Sequence, residues 1–207
     1  MVVLFRMSTQ IKQNLILASS FNTVAKKLFA DGLLPEKASV AFIPTASNPY
    51  KEHPWVERDR IVLIELGYEV TDVDLENKKE EDLKNDLASA DIIFVAGGNT
   101  TYLNEQSHRS GFHKIIRELL HQGKIYIGSS AGSLLAGPSV EPFVEEDTAE
   151  LSPDFSLSDS ACFGLVDYIV LPHYPLLMKE NDMVVEKYGE KFRYTKMTDE
   201  DFRIETI

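Results

Sequence analysis

The sequence predicts an α/β fold: a doubly wound, mostly parallel β-sheet with helices on both faces. Three observations lead to this prediction. Short apolar runs rich in β-branched and aromatic residues recur along the 207 residues, helical patterns separate most of them, and polar loops follow several of them. Strands that alternate with helices form parallel sheets, whose strands are buried on both sides and are therefore strongly apolar.

Six runs are predicted as strands because each is short, apolar and bounded by turn residues. In chain order they are NLILAS (14–19), ASVAFIP (38–44), YEVTDVD (68–74), DIIFVAG (91–97), KIYIGS (124–129) and DYIVLP (167–172). In the segment after residue 172 we expect a terminal helix, with most of its basic residues on solvated faces.

Three stretches show the periodicity or the end signals of helices. WVERDRIVLIELG (55–67) has apolar residues near a 3.6-residue period and ends at a glycine. NKKEEDLKNDLASA (77–90) begins at Asn77, a candidate N-cap, and concentrates acid in its first turn. FHKIIRELLHQG (112–123) places its apolar residues on one face and also ends at a glycine. We place His108 in the same helical region as this last stretch.

Composition narrows the classes of function. The chain has 21 basic and 33 acidic side chains, a formal net charge of −12, which disfavours binding to nucleic acid or to an anionic membrane surface. It has no low-complexity or Pro/Gly/Ser-rich stretch, so we expect one domain over residues 1–207.

Cysteine use and hydropathy bear on location. Cys162 is the single cysteine and cannot form an internal disulfide, which fits a reducing compartment. No stretch reaches the roughly 18 apolar residues of a membrane span, and the opening MVVLFRM is too short for that or for a signal peptide. These features favour a cytoplasmic protein.

The pentapeptide GSSAG (128–132) is the candidate for chemistry. It matches G-x-S-x-G, the pattern of a nucleophile elbow, in which a sharp strand-to-helix turn projects the hydroxyl of the central serine, here Ser130. The apolar run KIYI precedes it and a helical pattern follows, which is the context that an elbow requires. On the pentapeptide alone, a capping serine in an ordinary turn remains an alternative.

A nucleophilic serine needs a base and an acid that orients the base. His173 follows the apolar run YIVLP and is therefore presented at the same sheet edge as Ser130, whereas the other histidines precede the pentapeptide, at His53, His108, His113 and His121. Eight acidic residues lie between Ser130 and His173, and charge alone does not choose among them: Glu141, Glu145, Glu146, Asp147, Glu150, Asp154, Asp159 and Asp167.

Three segments together resemble a known family. FVAGGNTTYL (94–103), GSSAGSLLAGP (128–138) and LPHYP (171–175) are similar to the glycine-rich loop, the nucleophile segment and the histidine segment of peptidase family S51, that of dipeptidase E (aspartyl dipeptidase) and cyanophycinase. The resemblance extends from about residue 14 to about residue 180. It implies a class I glutamine amidotransferase-like fold, a flavodoxin-like three-layer sandwich.

The resemblance also implies roles for individual residues. Ser130 matches the nucleophile, His173 the general base and, without a gap, Glu145 the acid; a shift of one or two positions selects Glu146 or Asp147 instead. The loop residues that match the oxyanion-binding and substrate-binding groups are Gly97, Gly98, Asn99 and Ala131.

The implied activity is that of a serine peptidase acting on a small peptide through an acyl-enzyme, with no metal or other cofactor. DVDLEN (72–77) lacks the spacing of a calcium loop. Relatives allow a monomer or a homodimer.

The resemblance by itself defines neither the substrate nor whether the chain is active. Selection of an N-terminal aspartate calls for an arginine in the substrate pocket, and no basic residue after His173 lies in a segment that matches the family. Two alternatives are an esterase, against which the short interval between Ser130 and His173 argues, and a non-catalytic binding or regulatory protein on the same fold.

Overall fold

The computed structural model describes residues 14–207. The expectation for MVVLFRM lies outside the described residues. No helix within residues 14–207 is long and apolar enough to cross a membrane.

Within residues 14–207, eight strands form two sheets. They are β1 Leu15–Ala18, β2 Ser39–Ile43, β3 Glu69–Asp72, β4 Ile92–Val95, β5 Ile125–Ser129, β6 Tyr168–Leu171, β7 Arg193–Lys196 and β8 Phe202–Glu205. The central sheet has the order β3-β2-β4-β5-β1-β8; its first five strands are parallel, and β8 pairs antiparallel with β1. Strands β6 and β7 form a separate parallel pair.

Eight α-helices accompany the strands in the described part of the chain. They are α1 Phe21–Ala30, α2 Pro54–Glu65, α3 Glu80–Asp86, α4 Thr100–Ser110, α5 Phe112–His121, α6 Ala131–Leu135, α7 Val144–Ala149 and α8 Met178–Tyr188, with short 3₁₀ turns at Thr45–Ser47 and Glu141–Phe143.

The apolar core lies in two layers, one on each face of the central sheet. Alternate residues of one strand enter opposite layers, so Leu17 packs with α4 and α5 while Ile16 packs with α1 and α2. This arrangement of helix, sheet and helix confirms the predicted α/β three-layer fold.

The end of the chain differs from the prediction. All six predicted strands are present, but β6 lies outside the central sheet, and the expected terminal helix ends at Tyr188. The strands β7 and β8 that follow were not predicted. Each has only four residues, and most of those residues are partly exposed. Charged and apolar residues alternate in FRIE (202–205), a pattern too short to separate an edge strand from a solvated helix face.

Two helix boundaries also differ from prediction. Helix α3 begins at Glu80, where the Asp82 carboxylate accepts the N–H of Lys79, while Asn77 lies in the preceding turn with φ 61°. The histidine-containing region is two helices, because Gly111 ends α4 in the left-handed conformation with φ 79°.

The strand order of the central sheet brings three loops together at one edge. Strands β4, β5 and β1 are parallel neighbours, so the loops that follow them emerge side by side at the carboxyl edge. These loops begin at Ser19, Ala96 and Ser130. Ligands of doubly wound sheets bind outside this edge.

Candidate active site

Ser130 occupies a sharp turn between β5 and α6. Its backbone has φ 50° and ψ −110°, a conformation that residues other than glycine rarely adopt. The turn is held because the Ser130 N–H donates to the Ala18 carbonyl at 3.0 Å. A sharp strand-to-helix turn of this kind is the geometry of a nucleophile elbow.

The two glycines of the pentapeptide permit close backbone packing. A Cβ atom at Gly132 would lie 2.1 Å from the carbonyl oxygen of Val95, and one at Gly128 would lie 2.6 Å from the Gly132 backbone. A side chain at Gly132 would therefore push the start of α6 away from β4, and one at Gly128 would push it away from β5.

His173 follows β6 and reaches Ser130 across the sheet edge. Its Nε2 lies 2.9 Å from Oγ of Ser130. The backbone of His173 has φ 59°, and its N–H donates to the hydroxyl of Ser19 at 2.7 Å. The loop after β1 thus fixes the segment that carries the imidazole.

Asp199, in the turn between β7 and β8, contacts the other ring nitrogen. Its Oδ1 lies 2.6 Å from Nδ1 of His173 and accepts a hydrogen bond from the Ser19 hydroxyl at 3.1 Å. Ser19 is fully buried and was not singled out from the sequence. Serine, imidazole and carboxylate therefore form a continuous series, Ser130–His173–Asp199.

The structure corrects the acid expected from the resemblance. Glu145 does not contact His173: its side chain is 88% exposed and pairs with Lys187 at 3.1 Å. Glu146 is exposed on the same helix, α7. The ungapped extension fails because the chain forms a short helix after residue 143 that faces α8 instead of His173.

Asp147, the other alternative, stabilises a helix terminus. Its Oδ2 accepts the backbone N–H of Thr101 at 2.7 Å and the hydroxyl of the same residue at 2.8 Å, in the first turn of α4. Burial raises the pKa of Asp147 to about 6, although these two hydrogen bonds oppose the rise.

The glycine-rich loop after β4 lies directly against Ser130. A Cβ atom at Gly97 would lie 3.1 Å from Cβ of Ser130. The backbone N–H groups of Gly98 and Ala131 have no hydrogen-bond partner within residues 14–207. Backbone N–H groups without an internal acceptor are the kind of donor that an oxyanion site uses.

Asn99 supports this loop and does not line the cleft. Its side chain accepts the N–H of Tyr102 at 2.8 Å and donates to the Asp147 carbonyl at 2.9 Å, and the residue is 1% exposed. The expectation that Asn99 belongs to the binding groups is replaced by this capping role.

An open cleft of about 510 Å³ lies over the site. Besides Ser130 and His173, it is lined by the apolar side chains of Trp55 and Leu176 and by the charged side chain of Arg58. Arg58 extends from α2 and forms no ion pair with a carboxylate among the described residues. Arg58 lies before the pentapeptide, whereas the expectation from the sequence concerned the basic residues after His173.

Asp59, the neighbour of Arg58, is a buried acid in the wall of the cleft. It is 3% exposed, and its Oδ1 accepts the N–H of Asn22 at 2.9 Å. Burial raises the pKa of Asp59 to about 6; the nearby Ser129 hydroxyl, the Asn22 N–H and the Arg58 charge act in the opposite direction.

Within residues 14–207 no three His, Cys, Asp or Glu side chains are grouped so that they could hold a metal ion.

A hydroxyl, an imidazole and a carboxylate joined in series at the carboxyl edge of a doubly wound sheet form the arrangement of serine hydrolases. The sequence profile of peptidase family S51 matches residues 15–200. The chain therefore belongs to peptidase family S51, which confirms the resemblance. Membership makes it a peptidase, a class of hydrolase, and a serine nucleophile fits the family.

Individual relatives agree with this assignment. The chain is 34% identical to an uncharacterized peptidase of Pasteurella multocida over 78% of this chain and 77% of the relative. It is 30% identical to a peptidase E of Nostoc over 79% of this chain and 66% of the relative. A crystal structure from Listeria monocytogenes, provisionally assigned to peptidase E, superposes with a TM-score of 0.80 at 27% identity, covering 94% and 98% of the two chains.

Proposed function

We propose that this chain hydrolyses a short peptide through an acyl-enzyme, with Ser130 as nucleophile, His173 as general base and Asp199 as the acid that orients the base. One observation carries the proposal. The Ser130 hydroxyl, the His173 imidazole and the Asp199 carboxylate are joined by contacts of 2.9 and 2.6 Å at the floor of the cleft.

The contacts suggest how each proton moves. Asp199 accepts a hydrogen bond from Nδ1–H of His173, which leaves Nε2 unprotonated and able to take the proton of Ser130 as its oxygen attacks the peptide carbonyl. His173 then gives this proton to the leaving amine, whose bond to the carbonyl carbon breaks. Water, deprotonated by the same nitrogen, attacks the ester, and the serine recovers its proton as the acid product leaves.

The negative charge of the tetrahedral intermediate needs donors that are already in place. The N–H groups of Gly98 and Ala131 meet this need, because they lie near Ser130 and donate to no acceptor among the described residues. Groups of this kind typically contribute about 10² to 10³ in rate.

Arg58 supports a preference for an acidic N-terminal residue. It is the arginine of the cleft lining, it has no carboxylate partner among the described residues, and a guanidinium binds a carboxylate through two parallel hydrogen bonds. Dipeptidase E, which this family includes, selects an N-terminal aspartate. We therefore propose aspartyl dipeptides as the first substrates to test.

The proposal is tested by labelling and by turnover. An alkyl fluorophosphonate should add to the wild-type protein, detected by intact mass, and should not add to Ser130→Ala. With a panel of aspartyl, isoaspartyl and neutral dipeptides, Ser130→Ala and His173→Ala should each lower kcat on the order of 10⁶-fold. A well-folded wild-type protein that neither reacts with the probe nor cleaves any dipeptide would overturn the proposal.

A further inference from the structure

We infer that Trp55 is a positioning residue for the oxyanion-binding loop. The inference rests on the proposed function, because it assigns Trp55 a part in the same reaction. Trp55 lies in the first turn of α2, is partly buried, and lines the cleft. Its indole Nε1–H donates to the carbonyl oxygen of Gly97 at 3.0 Å.

This hydrogen bond controls the orientation of a catalytic donor. The Gly97 carbonyl and the Gly98 N–H belong to one planar trans peptide, in which the two groups point in opposite directions. When the indole holds the carbonyl on the α2 side, the N–H is held on the opposite side. The Gly98 N–H has no partner within residues 14–207, so it is free for the oxyanion.

Few hydrogen bonds hold the peptide between the two glycines, although backbone atoms of Ala46 and Ser47 pack closely against Gly98. Among the described residues, the bond from Trp55 is the one hydrogen bond made to that peptide. The next residue that is held, Asn99, donates its N–H to the Ala46 carbonyl at 2.8 Å. Glycine lacks the Cβ atom that restricts rotation in other residues. Loss of the indole donor should therefore let the Gly98 N–H turn away from Ser130.

Trp55 is itself fixed by contacts outside the loop. The Tyr50 ring packs edge-on against the indole, with centroids 5.5 Å apart and an interplanar angle of 82°. The Tyr50 hydroxyl donates to Glu150 at 2.7 Å. The indole is therefore preoriented by these contacts before a substrate binds.

The test removes the indole donor while it keeps an aromatic ring. In Trp55→Phe we expect kcat to fall about 10- to 100-fold with KM unchanged, because only the charged intermediate depends on the oriented N–H. Labelling by an alkyl fluorophosphonate should slow by a similar factor. In that reaction Ser130 Oγ bonds to phosphorus, fluoride leaves, the hydroxyl proton passes to His173, and the phosphoryl oxygen occupies the oxyanion site.

A matched control separates positioning from general stability. Tyr68→Phe removes another bond from an aromatic side chain to a backbone carbonyl, that of Pro35 at 2.7 Å, away from the cleft. It should lower the melting temperature without changing the labelling rate. Because Trp55 is the single tryptophan, biosynthetic replacement by 3-(benzothienyl)alanine exchanges this N–H for sulfur in a ring of nearly the same shape. This replacement covers the case in which Trp55→Phe does not fold.

The outcomes distinguish this inference from the proposed function. If the wild-type protein reacts and both Trp55 replacements react equally fast, or if a replacement changes KM alone, the positioning role is overturned and the serine mechanism stands. If the wild-type protein itself neither reacts nor turns over substrate, the proposed function fails. Slow labelling of the benzothienyl protein at wild-type stability supports the positioning role.

Discussion

His173 and Asp199 are joined by a 2.6 Å contact between Nδ1 and Oδ1, although 26 residues separate them in the chain. The contact depends on the turn between β7 and β8, since that turn brings the carboxylate back to the segment after β6. Ser19 bonds to both residues, so the end of β1 fixes the relative position of base and acid.

Replacement of Asp199 tests its proposed role. In Asp199→Asn the amide can hold the imidazole in the wrong tautomer, with its proton on the nitrogen that faces Ser130, so we expect kcat to fall by about 10⁴. Glu145→Gln is the matched control, because Glu145 pairs with Lys187 on the surface. It should leave kcat unchanged. Steady-state dipeptide kinetics measure both, and a larger loss in Glu145→Gln would restore the acid expected from the resemblance.

Ser19→Ala should weaken the coupling between base and acid. The variant loses the bond to Asp199 and leaves the partly buried His173 N–H without its acceptor, which costs about 1–3 kcal/mol of stability. We expect kcat to fall about 10-fold, through misplacement of the imidazole. Kinetics and urea denaturation report the two effects separately.

Ser139→Ala provides the comparison for Ser19→Ala. Ser139 is also buried, and its hydroxyl likewise donates to one acceptor and accepts one backbone N–H. The Ser139→Ala variant should have a lower free energy of unfolding and an unchanged kcat. Equal losses of kcat in the two variants would mean that Ser19 acts through stability alone.

The residues with local signals were predictable from sequence. Ser130 stands in a glycine-flanked turn between an apolar strand and a helix, and His173 directly follows an apolar strand. Both features depend on a few neighbouring residues and on the rule that parallel strands present their carboxyl ends together. The same rule placed the loop at Gly97 and Gly98 beside the elbow.

Asp199, Arg58 and Trp55 could not be predicted in the same way. Asp199 stands among other acids in TDED (198–201), between two four-residue strands that give almost no periodic signal. Arg58 and Trp55 lie on a helix that precedes the elbow by some 70 residues, and only the tertiary packing of α2 against the sheet brings them to the cleft. The roles proposed for them depend on long-range contacts that no local pattern encodes.

Arg58→Ala should alter substrate choice selectively. If the guanidinium binds the side-chain carboxylate of an N-terminal aspartate, its loss should raise KM for aspartyl dipeptides about 10- to 100-fold, the value of a charge-assisted hydrogen bond. Neutral dipeptides should be cleaved as before. Arg193→Ala is the control, since Arg193 is exposed, pairs with Asp167 and lies outside the cleft lining. Equal loss with acidic and neutral substrates would exclude carboxylate recognition by Arg58.

Asp59→Asn should change how stability depends on pH. Burial raises the pKa of Asp59 to about 6 from its ordinary 3.8, so the folded protein binds this proton more tightly than the unfolded chain. The stabilisation is fully present below pH of about 4 and is lost as the pH rises through about 6. An asparagine keeps an oxygen for the Asn22 N–H but does not titrate.

The measured quantity is the free energy of unfolding of the wild type minus that of Asp59→Asn, from urea denaturation between pH 4 and pH 8. This difference should fall by about 2 kcal/mol over that range, at 1.36 kcal/mol per pKa unit, because part of the change lies below pH 4. The same subtraction with Asp147→Asn measures the pH-dependent contribution of Asp147, the other acid whose pKa is raised by burial. A difference for Asp59 that stays constant across the range, or that rises with pH, would show that its carboxyl group does not take up a proton on folding.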